Sequence, residues 1–223
     1  MVTPAKTAHF IWGGSALPDE YAKNIEQFEA INKGWTTRLW DGDEARSVLP
    51  AGVLHLFDDA AEFVPADSVW QFRSDLARLA ILGKHGGLYV DTDFRWQKPI
   101  ESLLAAPPRT VVTAWEVDRR HVANAFIYSA QRGHSIFRQC LRDAPGRAHQ
   151  QRGMRANRIT GPSGQWTAIA RRRHDVKILP SKLLYPYAWN ELGRANEEFP
   201  EAYGVHVWGH SRGLRKGGVH RTW

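Results

Sequence analysis

Gly86-Gly87-Leu88-Tyr89-Val90-Asp91-Thr92-Asp93 is the stretch on which the fold turns. The paired glycines tolerate backbone conformations closed to other residues, so they break the preceding segment and let two backbones approach closely. Leu88-Tyr89-Val90 is a short apolar run of the kind a sheet buries on both faces. Asp91 and Asp93 stand at period two, which on an ideal strand sends both carboxylates to one face. Two like charges at a buried strand end raise each other's pKa and are costly unless a cation sits between them. Hard oxygen ligands of this kind suit Mg²⁺ or Mn²⁺.

Upstream, Asp67 or Ser68 can cap a long helix running to about Lys84, with Trp70, Leu76, Leu79, Ile81 and Leu82 on its buried side. The same helix carries Ser74-Asp75-x-x-Arg78, and residues three apart share a face. As a surface ion pair, Asp75 and Arg78 would contribute roughly a few tenths of a kcal/mol. One helix segment before the double glycine and the aspartate pair, they read instead as a clamp. The carboxylate accepts from sugar hydroxyls, and the guanidinium reaches hydroxyls or a phosphate oxygen.

Further out, Ala8-His9-Phe10-Ile11-Trp12 predicts a buried strand ended by Gly13-Gly14. Pro18-Asp19-Glu20 opens a helix with Tyr21, Ile25, Phe28 and Ile31 at helical spacing. Thr36 to Trp40 reads as a second strand, ended by Asp41-Gly42-Asp43, and helical segments follow near 43–49 and 52–63. After Leu88–Val90, a helical turn is expected over Pro99–Leu104, strands over Thr110–Trp115 and Ala123–Tyr128, and a helix over His134–Leu141. Residues 145–158 are arginine-rich with weak periodicity and predict a mobile loop. A helix over Ser163–Arg173 and strands over Val176–Leu179 and Val205–Trp208 complete the pattern. Alternating strands and helices argue an α/β sheet, in which ligands bind at the carboxyl ends of strands. Three such ends carry suggestive residues: Trp12-Gly13-Gly14, Trp40-Asp41 and Asp91-Thr92-Asp93. If these strands are neighbours, one crevice receives an aromatic ring, two glycines and up to three carboxylates.

With 223 residues the chain predicts one domain with a self-sufficient core. Of its ten tryptophans, Trp12, Trp40 and Trp208 adjoin polar or glycine positions, where an exposed ring can stack on a base or sugar. A lone Cys140 excludes an intrachain disulfide and suits a reducing compartment. No apolar run approaches the roughly 20 residues of a membrane span. Met1 to His9 lacks the apolar stretch of a secretory signal, so a cytoplasmic location is expected. Charge is uneven: residues 1–111 hold 11 Lys+Arg against 15 Asp+Glu, and residues 112–223 hold 19 against 8. The basic half, with Arg142, Arg147, Arg152, Arg155, Arg158 and Arg171-Arg172-Arg173, hints at an anionic partner; solvated arginine faces would read the same way.

Ser74-Asp75-x-x-Arg78 followed by Gly86-Gly87-x-Tyr89-x-Asp91-x-Asp93 resembles the DXD-containing sugar-binding region of glycosyltransferase family 32 and its relatives, the glucosylating bacterial toxins. Other segments resemble the family in order. They are His9-Phe10-Ile11-Trp12-Gly13-Gly14, Asn124-Ala125-Phe126, Gly133-His134-Ser135, Thr160-Gly161-Pro162 and His206-Val207-Trp208 through Ser211. Arg212 departs from it, standing where the family usually has a tryptophan. The resemblance implies a GT-A fold, a mixed and mostly parallel sheet flanked by helices, as a single domain over residues 1–223. Residues 1–111 would mainly bind nucleotide sugar and metal; residues 112–223 would form the acceptor side and the C-terminal closure. It further implies a metal-dependent retaining transfer of a hexose, glucose first, from a nucleotide sugar to a hydroxyl. Trp12 would stack on the donor base, with Gly13 beside it. Asp75 and Arg78 would hold the sugar, and Asn124 would lie near it. Asp91 would contact ribose and metal-bound water, Asp93 would bind Mn²⁺ or Mg²⁺ directly, and His206, favoured over His210, would be a further ligand. Ser211 would donate to the diphosphate. A UDP-sugar is expected ahead of a GDP-sugar. The acceptor is left among a protein hydroxyl, a polysaccharide and a hydroxymethylated base in DNA. A nucleic-acid-binding module without transferase activity and a metal-dependent nuclease are the rival readings.

Overall fold

The structure is a computed structural model and describes residues 6–209. Strand β1 (Thr7–Ile11) leads to helix α1 (Asp19–Ile31), entered through Pro18 with two acids in its first turn. Strand β2 (Thr36–Trp40) precedes three short helices, α2 (Gly42–Ser47), α3 (Ala51–Asp58) and α4 (Ala60–Phe63). A 3₁₀ turn then opens the long helix α5 (Val69–His85). Strands β3 (Gly87–Val90) and β4 (Phe94–Trp96) and the short α6 (Glu101–Leu104) follow. Strands β5 (Val111–Ala114) and β6 (Phe126–Ser129) lead to helices α7 (Ser135–Gln150), α8 (Ala156–Ile159) and α9 (Gln165–Ala170). The last strands are β7 (Val176–Leu179) and β8 (Gly204–His206).

Six strands form one sheet in the order β2-β1-β3-β6-β5-β7. The pairs β1–β2, β1–β3 and β5–β7 are parallel, and β6 runs antiparallel to both its neighbours. The sheet is therefore mixed and mostly parallel, as expected. Strands β4 and β8 make a separate antiparallel ribbon. Side chains alternate faces along each strand, so one sheet builds two cores. Tyr89, Ile127 and Val111 join Leu76, Ile81, Phe137 and Leu141 from α5 and α7 on one face. Leu88, Val90, Phe126 and Val112 join Phe10, Phe28 and Trp96 on the other.

The double glycine makes the central crossing. Gly86, at φ 67° and ψ −156°, ends α5 in a positive-φ region open essentially to glycine and donates its N–H to Leu82 O at 2.9 Å. A Cβ on Gly87, at φ 86°, would stand 2.4 Å from Thr7 O, so any side chain there would push β3 off β1.

Two expectations are corrected. Residues 145–158 are not a loop: α7 runs through Pro145 to Gln150, and α8 follows within the same stretch. Burial of Ala144 and Ala148 continues the apolar stripe begun by Ile136, Phe137, Cys140 and Leu141, and that packing carries the helix past the proline. Trp40 is 1% exposed and belongs to the core, donating its indole N–H to His9 Nδ1 at 3.2 Å. Boundaries also tighten: the helix expected over 163–173 is α9, and the last strand ends at His206.

Candidate active site

The order β2-β1-β3 makes the three strand ends neighbours, and a cleft of about 1720 Å³ opens beside them. Trp12, Gly13, Asp75, Arg78, Asp91, Asp93, Asn124 and His206 all line it. Asp41 does not. Its side chain accepts from Glu44 N at 2.8 Å in a capping box that starts α2, so the crevice receives two carboxylates from strand ends and not three.

Strand β3 stops at Val90, so Asp91 and Asp93 converge through a turn and not through the strand pleat. Asp91 N donates to Ala125 O at 2.9 Å, and the buried Asn24 donates to Thr92 O at 2.9 Å, which fixes the turn from both sides. The β4–β8 ribbon then places His206 opposite Phe94. His206 Nε2 lies 3.0 Å from Asp93 Oδ1 and 3.9 Å from Asp91 Oδ2. Potential ligand atoms of Asp91, Asp93 and His206 all fall within 4.8 Å of one another. Both ring nitrogens of His206 are buried, and neither makes a well-directed hydrogen bond among the described residues. Burial alone would lower the His206 pKa; Asp93 and Asp91 outweigh it and raise it to about 10. Burial would raise Asp91, but Arg78 and His206 hold its carboxyl below the usual range. Two carboxylates and a buried imidazole whose ligand atoms converge fit a divalent cation such as Mn²⁺ or Mg²⁺, which would take the place of the imidazolium proton.

Asp75 and Arg78 are not a surface pair: their side chains are 1% and 5% exposed and stand 3.3 Å apart. Asp75 accepts from Asn124 Nδ2 at 2.8 Å and from Thr160 Oγ1 at 2.8 Å. Burial pushes its pKa up to about 6, against the lowering pull of Arg78 and these hydrogen bonds. Arg78 also reaches Asp91 Oδ1 at 3.3 Å and donates to Asn124 O at 2.7 Å and Ser74 Oγ at 3.1 Å. One guanidinium thus joins the helix carboxylate to the strand-end carboxylate.

Trp12 is 8% exposed, its indole N–H donating to Ser15 O at 3.0 Å and its ring meeting Tyr21 edge-on at 5.3 Å. It is less open than the sequence suggested, though it lines the cleft. Gly13 lies under Trp70, where a Cβ would come 2.3 Å from that ring. Trp208, half-buried at φ 55°, stacks edge-on against His206 at 4.4 Å. Ser211, His210 and Arg212 lie outside the described residues.

Several residues that line the cleft, or support a residue that does, carry no site role at the level of sequence. Tyr89, whose ring packs in the core, donates its hydroxyl to Asp91 Oδ1 at 2.5 Å, and its spacing of two from Asp91 is the signal for that contact. Thr160 was visible within its Thr-Gly-Pro motif, but nothing local ties it to Asp75. Tyr185, 1% exposed, has a buried hydroxyl with no partner among the described residues, and Glu116 is half-buried with its pKa raised by burial. Neither has a sequence signal; the fold alone brings them to the cleft.

The family described as "Glycosyltransferase sugar-binding region containing DXD motif" matches residues 18–110. Residues 18–110 of the chain are thus similar to a glycosyltransferase sugar-binding region. That region supplies Asp75, Arg78, Asp91 and Asp93; Trp12, Asn124, Thr160 and His206 come from outside it. Lactosylceramide 4-alpha-galactosyltransferase of Rattus norvegicus is 27% identical over 187 residues, covering 72% of this chain and 49% of that protein. The chain thus spans about half the length of that relative. Among solved structures, PaToxG glycosyltransferase superposes with a TM-score of 0.58 at 16% identity, over 76% of this chain and 70% of that one. Galactosyltransferase LgtC, in complex with donor and acceptor sugar analogs, gives 0.54 at 12% identity over 97% of each chain. At these identities they show the fold, and it is the GT-A fold expected from the sequence. Among the described residues no helix is long and apolar enough to cross a membrane.

Proposed function

We propose that the chain is a metal-dependent, retaining glycosyltransferase that moves a hexose from a nucleotide sugar to a hydroxyl, with UDP-glucose as first donor and UDP-galactose next. The observation that carries this reading is the convergence of Asp91, Asp93 and His206 on the cleft that the buried Asp75–Arg78 pair also lines. Asp91, Asp93 and His206 would hold Mn²⁺ or Mg²⁺, which would supply Lewis-acid stabilisation of the departing diphosphate. Asp75 accepts a hydrogen bond from the sugar through Oδ2, which keeps a lone pair beyond the one used by Thr160; Oδ1 already meets Asn124 Nδ2 and Arg78. Arg78 orients both Asp75 and Asp91 and favours their ionised forms. Trp12 and Gly13 receive the base, and Ser211 the diphosphate.

Departure of the diphosphate builds oxocarbenium character at the sugar carbon. Asp91 and Asp93 are committed to the cation, Asp75 to Asn124, Thr160 and Arg78, and Glu116 to the acceptor, so none of these four carboxylates is assigned as a covalent nucleophile. Retention then follows from attack on the leaving-group face, with a leaving phosphate oxygen taking the acceptor proton. Glu116, on the same cleft, accepts a hydrogen bond from the acceptor hydroxyl before that transfer.

A thermal-shift series tests the reading. UDP with Mn²⁺ at about 100 times its Kd adds about 2.7 kcal/mol, a rise of roughly 5–10 °C for a chain of this size. UDP without metal moves the midpoint little, and GDP with metal moves it less than UDP. Equal shifts by UDP with and without Mn²⁺ would sink the metal-dependent site.

Trp12→Phe keeps an aromatic edge against Tyr21 and shrinks the stacking face. It is expected to raise the donor KM several-fold and leave kcat nearly unchanged, the signature of lost uniform binding. An unchanged KM removes the ring from the donor site.

A further inference from the structure

A second, smaller depression of about 560 Å³ adjoins the cleft, and His121, Pro162 and Ser163 line both. Its remaining charged wall is Arg120 from the β5–β6 connection and Arg171 and Arg172 from the end of α9. All three arginines are exposed, and their guanidinium groups form no ion pair or side-chain hydrogen bond among the described residues; Arg171 lies 5.6 Å over the Trp115 ring. Two carboxylates stand beside His121: Asp118, which accepts from His121 Nδ1 at 2.6 Å and from Arg120 N at 2.8 Å, and Glu116, which faces the cleft and not the notch. Elsewhere in the basic half, Arg142 pairs with Asp143, Arg152 with Glu62, Arg155 with Asp67, and Arg173 with Asp175. The notch instead gathers three arginines with no such partner among the described residues on one concave surface beside the cleft.

We propose that this notch, formed by Arg120, Arg171 and Arg172, binds the carboxylate or phosphate of an acidic saccharide whose hydroxyl is the acceptor. The inference rests on the glycosyltransferase reading and names its acceptor class. Guanidinium forks match planar carboxylates and phosphates in a way that neutral sugars cannot use. Continuity through His121 and Ser163 sets the charged group in the notch while a hydroxyl of the same saccharide reaches Glu116.

Calorimetry on the protein saturated with UDP and Mn²⁺ tests this with 3′-sialyllactose, lactose 6′-phosphate and neutral lactose as probes. At least one acidic probe is expected to bind about tenfold tighter than lactose. Arg171→Gln/Arg172→Gln, two exposed positions, is expected to abolish that preference with UDP affinity and melting temperature unchanged. Equal affinity for acidic and neutral probes overturns the proposal, as does a preference that survives the double variant. So does tight binding of a hydroxymethylcytosine oligonucleotide that the double variant loses while acidic sugars do not bind. Failure to bind UDP is a separate result, which sinks the transferase reading and not the preference for acidic sugars.

Discussion

Asp93→Ala is expected to abolish both sugar transfer and donor hydrolysis, a loss of at least roughly 1,000-fold, because several kcal/mol of charge stabilisation depend on the cation it would hold. Oδ1 of Asp93 stands 3.0 Å from His206 Nε2, and Oδ2 accepts from Gly209 N at 2.7 Å. The side chain therefore fixes the backbone past β8 as well as facing the cluster. Alanine removes both functions, so a structural loss must be separated from a chemical one. Asp93→Asn does that: its amide oxygen can still accept from Gly209 N, while the site loses a negative charge. Both variants are expected to lose Mn²⁺-dependent UDP binding in calorimetry and to melt earlier, because both lose the ion pair with His206, and the alanine variant, which also loses the Gly209 contact, is expected to melt lowest. Near wild-type turnover of Asp93→Ala with added Mn²⁺ would remove Asp93 from the site.

The sheet's central part is legible because its signals are local. The stretches 8–12, 36–40 and 88–90, each ended by glycine or aspartate, are legible as strand ends at sequence level, while their adjacency comes from the sheet order β2-β1-β3. The aspartate pair and Ser-Asp-x-x-Arg are legible for the same reason, sitting within one helix, one turn and one strand. Trp40 shows the opposite case. Its polar neighbour Asp41 suggested an exposed ring, but Asp41 faces away to cap α2, and the indole packs inward. Residues 145–158 misled because proline and arginine mask a stripe of small residues, and only packing against the core shows that Ala144 and Ala148 are buried. Glu116 and Tyr185 carry no local pattern at all. They reach the cleft because the β5–β6 connection and the segment after β7 end there, a fact of long-range topology. Thr160 is intermediate: its motif is visible, but its bond to Asp75, 85 residues away, is not.

Asp75→Asn separates function from stability. The wild-type carboxyl has a folded pKa of about 6 against an ordinary value of 3.8. Folding therefore takes up a proton between those values. The group favours the folded state fully below the ordinary value, and that contribution is lost as pH rises through about 6. Near pH 7 the protein holds a buried anion at a cost on the order of 3 kcal/mol. Asparagine removes the charge and keeps the shape. Its oxygen still accepts from Asn124. Its amide faces Thr160, whose hydroxyl can turn to donate to Ala156 O, already 3.3 Å away. Arg78 keeps Asp91 and the Asn124 carbonyl. The melting temperature at pH 7 is thus expected to hold or rise, and its dependence on pH between 4 and 6 to flatten. Transfer is expected to fall by roughly 100-fold or more, since a sugar hydroxyl loses a charged acceptor whose hydrogen bond is worth about twice a neutral one. Asp75→Ala, by contrast, strands the Asn124 amide in a buried pocket, while the Thr160 hydroxyl keeps Ala156 O, and is expected to destabilise by about 1–3 kcal/mol. A clear drop in the melting temperature of Asp75→Asn at pH 7 would mean that the Asp75–Arg78 attraction exceeds the cost of burial, whereas full activity in that variant would place the donor sugar elsewhere in the cleft.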